Sequence, residues 1–336
     1  MSNQKKISTP TIRLAHPLAF SAFLRHIGAP VERHMRKQGL PTLCIDPNSI
    51  VPLNRAWRFF DAVAKTEDID IGWHVGRYMG DHNLNHKLLR KLECTQTLYL
   101  ALKYLIRMIS SEASDLQLGI LERNEYIVFY TYYPGKREEA GYMISQAYQI
   151  EVYVNLIRHF TNRNWMPPEI GLESSFISPH LERHFPETRI CTNQQMGYLT
   201  IPRPVLHLSA RSNHLITDVT SEKEISPRES DFLTSLRAIV PSYLPDGYLS
   251  EQTAARLMEI STRTLTRRLA ECGLSYGKLL DEIRFKIAAE LLHDPCIKTT
   301  EIARQIGIAD QSNFTKMFRR ISGLTPRQYR HLLMEN

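Results

Sequence analysis

Ala255-Arg256-Leu257-Met258-Glu259-Ile260 and Ala303-Arg304-Gln305-Ile306-Gly307-Ile308 open two segments, 48 residues apart, that each read as helix, tight turn, helix. One such pattern arises by chance. Two in register, joined by a single helical run, describe a module that sets two helices into successive major-groove faces of DNA.

Each segment carries its own start and stop signals. Ser250 caps a helix through Met258, and the small Ala255 lets the next helix cross closely. Ser261 caps a second helix to Cys272, with Leu265 and Leu269 inward and Arg263 and Arg267, four apart, sharing the outward face. This is the pattern of a recognition helix. Gly273 ends it, and Ser275 caps the run Tyr276 to His293, where Leu279, Leu280, Ile283, Ile287 and Leu291 form an apolar stripe before Pro295. Such a run is about 27 Å long, a strut able to space two reading helices by roughly the ~34 Å of one DNA turn. In the second segment Thr299 or Thr300 is the expected cap for Glu301 to Ile306, and Gly307 makes the turn. Asp310 caps a helix with Phe314 and Phe318 inward and Gln311, Asn313, Thr315 and Lys316 outward. Its inward pair falls one position later relative to the turn than in the first segment, so the two helices present different faces. Thr325-Pro326 starts a last helix bearing Tyr329 and Leu333.

Composition sets outer bounds. The 336 residues suffice for two domains of ordinary size. A hydrophobic fraction of 43% and a charged fraction of 23% describe a soluble globular chain, without the run of about 18 apolar residues that spans a bilayer. The polar start Met1-Ser2-Asn3-Gln4-Lys5-Lys6 leads to Pro10 and Arg13, not to a secretory apolar stretch, so a cytoplasmic location is expected. Cys44, Cys94, Cys191, Cys272 and Cys296 form no Cys-x-x-Cys pair and are expected to be reduced and mostly buried. The net charge of +7 fits a nucleic-acid partner. Over 231–336, however, 15 Lys and Arg face 12 Asp and Glu, so placement counts for more than the total. Arg263, Arg267 and Arg268 fall in one helix and Lys316, Arg319 and Arg320 in the other.

The first half reads as mixed α and β. Asn54 to Lys65 has Ala56, Trp57, Phe60, Val63 and Ala64 on one helical face, and Thr95, a candidate cap, precedes Leu98, Leu102, Leu105 and Ile109. Residues 116–121 and 126–133 flank Arg123-Asn124-Glu125 as a β-hairpin closed by Pro134-Gly135. A helix from Gly141 to Asn162 follows, then short strands near Ile170, Ile190 and 198–201. Polar residues 218–230 read as a linker. The expected organisation is an arm (1–19), an α+β domain (20–217), the linker, and an all-α domain (231–336) whose two helix-turn-helix motifs are joined by a linker helix.

At Ile302-Ala303, Gly307, Ser312-Asn313-Phe314-Thr315-Lys316-Met317-Phe318-Arg319-Arg320 and Gly323-Leu324-Thr325-Pro326-Arg327-Gln328-Tyr329-Arg330, the chain resembles the AraC/XylS transcription regulators. Arg263-Thr264-Leu265 and Leu279-Leu280-Asp281 extend the likeness upstream, to about 100 residues in all. Two departures stand out: Glu259 where the first turn usually has Gly, and Lys316 where the second recognition helix usually has Arg. Residues 20–215 are similar, through Asp46-Pro47, Pro52, Arg55, Trp57, Thr97-Leu98, Ala101-Leu102 and Trp165-Met166-Pro167, to the ornithine-regulator-like branch with an arabinose-binding-type N-terminal domain. The resemblance implies an N-terminal domain that dimerises and senses a small effector, a target in double-stranded promoter DNA, contact with RNA polymerase, and activation in preference to repression.

The chemistry assigns roles. Arg263 and Arg267 reach guanine edges, Gln311 pairs with adenine, and Thr266, Ser312 and Lys316 complete a base-reading set. Ser261, Arg268, Asn313, Thr315, Arg319, Arg320 and Arg327 are assigned to the DNA backbone. Any one of these also reads as a solvated polar group on a helix; the coincidence of caps, turns, strut and signature does not. Tyr126, Tyr130, Tyr132 and Tyr133, with Tyr142, Tyr148 and Tyr153 beyond, fit a core better than a pocket. His74, His82, His86 and His184 raise the question of a metal, but Asn83 stands where a zinc-protease helix has Glu. No Gly-x-Ser-x-Gly, phosphate loop or paired carboxylates point to catalysis, and neither cofactor nor metal is expected. The reading is a sequence-specific regulator and not an enzyme. Two alternatives stay open: an effector-free regulator whose N-terminal domain only dimerises or docks partners, and an enzyme with an appended DNA-binding module, which needs a reactive cysteine.

Overall fold

Residues 116–121 and 126–133 are expected to pair as a hairpin, and the chain builds that hairpin into a larger sheet. The computed structural model describes residues 9–44, 46–81, 91–92, 95–210, 232–247 and 249–335. The linker assigned to 218–230, His82, His86, Cys94 and the first eight residues of the arm lie outside them. The described residues of Met1–Leu14, Gly39–Pro52 and Glu229–Asn336 form one compact unit, and those of Ala15–Gln38 and Leu53–Arg228 form another.

In the first unit β1 (Thr11–Arg13) pairs antiparallel with β2 (Ile50–Pro52), Ile12 opposite Val51. In the second unit lie α1 (Ala15–His26), α2 (Val31–Lys37), α3 (Leu53–Thr66), α4 (Ile71–Asp81) and α5 (Leu98–Glu112). The face expected of α3 is buried: Ala56, Trp57, Phe60 and Val63 are each at most 2% exposed. The cap of α5 is Thr97, not Thr95; the Thr97 hydroxyl accepts from the Leu100 amide at 3.3 Å, while Thr95 donates to Leu92 and Thr97 carbonyls. Thr97 has the extended backbone an N-cap needs, and its hydroxyl is within reach of the N3 amide.

The hairpin is β3 (Gln117–Glu122) with β4 (Tyr126–Tyr132). After α6 (Tyr142–Phe160) come β5 (Glu169–Gly171), α7 (Pro179–His184), β6 (Arg189–Cys191) and β7 (Gly197–Pro202), giving a five-stranded sheet ordered β3-β4-β7-β5-β6. Only β5 and β6 run parallel. Ile127 and Phe129 of β4 and Leu199 and Ile201 of β7 are each at most 1% exposed, each such burial contributing about 1.5–3 kcal/mol. Glycines set the closeness of α4 to α6: a Cβ at Gly72 would lie 2.4 Å from the Ile144 carbonyl oxygen, one at Gly76 2.6 Å from Glu151 Cβ, and one at Gly80 2.5 Å from Asn155 Cγ. Their four-residue spacing puts all three on one helical face.

The remainder of the first unit is all helix among its described residues: α8 (Phe232–Tyr243), a 3-10 turn (Leu244–Asp246), α9 (Glu251–Leu257), α10 (Thr262–Glu271), α11 (Tyr276–Leu291), α12 (Thr299–Gln305), α13 (Gln311–Ser322) and α14 (Pro326–Glu335). No described helix is long and apolar enough to cross a membrane.

Candidate nucleic-acid interface

Local chemistry builds the helices of this region as the sequence leads one to expect, with one exception. Ser250, Ser261 and Ser275 each cap their helix by accepting an amide three residues on, at 3.1, 3.1 and 3.4 Å. Asp310 caps α13 through the Ser312 amide at 3.0 Å. The exception is α12, which starts at Thr299 with Lys298 in the cap position and no side-chain cap. Thr299 and Thr300 are inside the first turn, where a hydroxyl cannot serve as cap. At α14, Thr325 and Gln328 form a reciprocal capping box: the Gln328 amide donates to the Thr325 hydroxyl at 3.3 Å and Gln328 Oε1 accepts from the Thr325 amide at 2.9 Å.

Inward residues anchor both helices. Leu265 and Leu269 of α10 and Phe314 and Phe318 of α13 are fully buried. Phe318 lies 4.9 Å from the ring of Phe285 on α11 and 5.3 Å from that of Tyr329 on α14, so the strut, the reading helix and the last helix share one aromatic core with Ile302, Ala303 and Ile306.

Outward, Arg263, Thr266 and Arg267 are exposed on α10 and Ser312, Asn313, Lys316, Arg319 and Arg320 on α13; Arg327 is exposed on α14. Gln311, Thr315 and Arg268 are half-buried, and the last two are engaged. Gln311 Oε1 is buried with no hydrogen-bond partner, the Thr315 hydroxyl donates back to the Gln311 carbonyl at 3.0 Å, and the Arg268 guanidinium sits 5.3 Å from the Phe232 ring centre. Ser261 spends its hydroxyl on the cap, and Thr266 donates to Glu251 Oε1 at 2.7 Å and to the Thr262 carbonyl at 2.9 Å. Arg267 Nη1 is paired with Glu271 Oε1 at 2.6 Å, and Arg320 with Asp281 of the strut. Arg267 is therefore held along its own helix in the free protein.

The two turns share one backbone shape and differ in what surrounds it. Glu259 takes φ +54° and Gly307 φ +70°, the same left-handed shape. A Cβ on Gly307 would lie 2.6 Å from the Leu244 carbonyl oxygen and 2.7 Å from that of Gly247. Glu259 is exposed.

One residue escaped the sequence reading. Arg284, only 7% exposed on the buried face of α11, donates Nε to the Ile306 carbonyl at 3.0 Å and Nη2 to the Gly307 carbonyl at 3.1 Å. It satisfies two carbonyls that the end of α12 leaves open and locks the second turn to the strut. An arginine interrupting the stripe Leu279-Leu280-Ile283-Ile287 was the available signal. The strut itself spans 16 residues, ending two earlier than expected.

The other candidates fall elsewhere. Tyr133, Tyr142, Tyr148 and Tyr153 are core residues of the second unit, while Tyr126 is 40% exposed. Burial, followed by the hydrogen bond to Glu173, pushes the Tyr142 hydroxyl well above its ordinary range. His74 faces Asp68 at 3.0 Å, and His184 faces the buried Glu151 at 3.3 Å. All four described cysteines are free, but only Cys44 is buried; Cys272 and Cys296, at a helix end and in a loop, are exposed, against the expectation of mostly buried thiols. Burial pushes the Cys44 thiol up, away from the reactive range.

Residues 254–331 match the model of a helix-turn-helix domain family. The chain is 31% identical over 128 residues to the HTH-type transcriptional regulator VirS of Mycobacterium tuberculosis, covering 38% of this chain and 37% of that protein. It is 32% identical over 102 residues to the ornithine utilization regulator of Pseudomonas aeruginosa, covering 30% of each. The matches thus span little more than a third of these relatives' length. Among solved structures, that of the transcriptional regulator CdpR from Pseudomonas aeruginosa aligns over 94% of this chain and 98% of its own, at 17% identity and a TM-score of 0.42. Over residues 254–331 this chain is therefore similar to a family of helix-turn-helix domains, and the likeness to the regulators of known name is concentrated in about a third of its length.

Proposed function

We propose that the protein is a sequence-specific, DNA-binding regulator of transcription that acts in the cytoplasm. The observation that carries this reading is the pair of capped helices, α10 and α13, presenting Arg263, Thr266 and Arg267 on one and Ser312, Asn313 and Lys316 on the other. Arg263, Thr266, Arg267, Gln311, Ser312 and Lys316 read bases, with Arg267 released from Glu271 and Gln311 turned outward on contact. Ser261, Arg268, Asn313, Thr315, Arg319, Arg320 and Arg327 serve the phosphates. The N-terminal α+β domain dimerises and senses a small effector, and the output is activation through RNA polymerase. In the rival reading the same domain dimerises or docks partners without an effector.

Selection from random duplexes followed by footprinting tests the main claim. A defined site is expected, and Arg267→Ala should weaken binding to it by ~1–3 kcal/mol and relax the choice at one base pair. Equal loss on random DNA moves Arg267 to the phosphate class, and enrichment of no sequence sinks the reading. A thermal-shift screen of metabolites separates the two N-terminal roles: a saturable ligand that also alters DNA affinity excludes the effector-free form.

A further inference from the structure

The DNA-reading unit contains more chain than its helices. Thr9, buried at 6% exposure, donates its hydroxyl to the carbonyl of Met258 at the first turn, at 3.2 Å. Residues within 39–52 fasten to Ser242, Tyr243 and Asp246 of the same unit. The amides of Thr42 and Leu43 donate to the two carboxylate oxygens of Asp246 at 2.9 and 2.7 Å, Ser242 donates to the Ile50 carbonyl at 2.6 Å, and the Tyr243 hydroxyl donates to the Gly39 carbonyl at 3.0 Å. Asp246 closes the 3-10 turn whose backbone meets the Gly307 turn. Beside that contact lies an open cleft of about 560 Å³, walled by Pro245, Asp246 and Gly247 on one side and by Ile308, Ala309 and Asn313 on the other. The second helix pair is thus held to the first along one edge, by backbone on backbone, with Arg284 as the second tether.

From this geometry we infer that Asp246 is a positioning residue for two-headed DNA recognition: clasped by the amides of Thr42 and Leu43, it fixes the platform that orients α13 relative to α10. This rests on the DNA-binding reading above. An exposed carboxylate accepting two amides contributes little through packing, but its charge-assisted bonds set the angle of the turn it closes. Two reading helices already spaced for a site bind it without an ordering penalty; once the platform loosens, the second helix must be ordered by DNA.

The test uses the full chain and two duplexes: the selected site, and the same site with the bases read by α13 scrambled. Asp246→Ala should lower affinity for the intact site about tenfold and leave affinity for the scrambled site unchanged. Leu43→Pro, which removes one donated amide at a side chain that is 57% exposed, should act in the same direction, and the double variant should lose no more than Asp246→Ala alone. Asp246→Asn, keeping one acceptor, should recover part of the loss. Equal losses on both duplexes, no loss on either, or additive losses in the double variant overturn the proposal while leaving the wild-type footprint intact. A wild-type chain that selects no site overturns it together with the reading beneath it.

Discussion

Glu259 and Gly307 hold equivalent places 48 residues apart, and their surroundings give the same backbone shape opposite tolerances. At Glu259 a side chain in left-handed conformation has solvent to enter but carries strain. Glu259→Gly should therefore stabilise the chain by about 1 kcal/mol in denaturant unfolding, because the native shape becomes unstrained. At Gly307 any Cβ meets two carbonyl oxygens. Gly307→Ala should destabilise by about 2–3 kcal/mol in the same measurement, combining left-handed strain with a clash that no rotamer relieves. Arg267 and Glu271 pair on the surface of α10. Both side chains are nearly 60% exposed, so the ion pair is weak, and under the proposed base-reading role of Arg267 it would compete with DNA. Glu271→Gln should tighten site binding by about two- to fivefold in a titration at fixed salt; weaker binding would show that Glu271 orients Arg267 instead of sequestering it.

Among the elements, α11 is more than a spacer. Removing the Arg284 guanidinium as Arg284→Met keeps the stem buried but strands the carbonyls of Ile306 and Gly307. The expected loss is about 1–3 kcal/mol, with amide exchange accelerated over α12 and α13 and not over α9 and α10. Uniform acceleration would mean the second pair has no separate stability. The helices from α9 to α14 were legible because caps and stripes are side-chain features: Ser250, Ser261, Ser275 and Asp310 cap where their spacing puts them. The misreadings have physical causes. At 95–97 and 298–300 several residues compete to begin a helix, and tertiary context, not hydroxyl chemistry, chooses the first turn. Arg284 was hidden because an arginine on a buried stripe reads as an imperfection until its carbonyl partners are seen.

Across the whole molecule, the ties of residues 39–52 to the C-terminal helices left no trace in the sequence. Thr42, Leu43, Gly39 and Ile50 make these bonds with backbone amides and carbonyls, which every residue but proline can offer. The arginine-rich α10 and the polar α13 suggest a division of labour. Single-helix alanine scans should find more base-specific energy in α10, whose turn is strained. Exchange protection without DNA should be higher in α13, which is tethered by Gly307 and Arg284. The opposite ranking would show that strain at Glu259 does not limit α10.

The interleaving of the two units also sets an order in time. Pro52 leaves the ribosome about 180 residues before Phe232, a delay of roughly ten to forty seconds at ~5–20 residues per second. Throughout that interval the β1–β2 ribbon has no helices to close upon, and the whole of the second unit is synthesised before they arrive. A nascent chain therefore cannot finish its helix-turn-helix unit before the other unit has been made, and a chain stalled short of Phe232 carries none of the helices on which the β1–β2 ribbon closes.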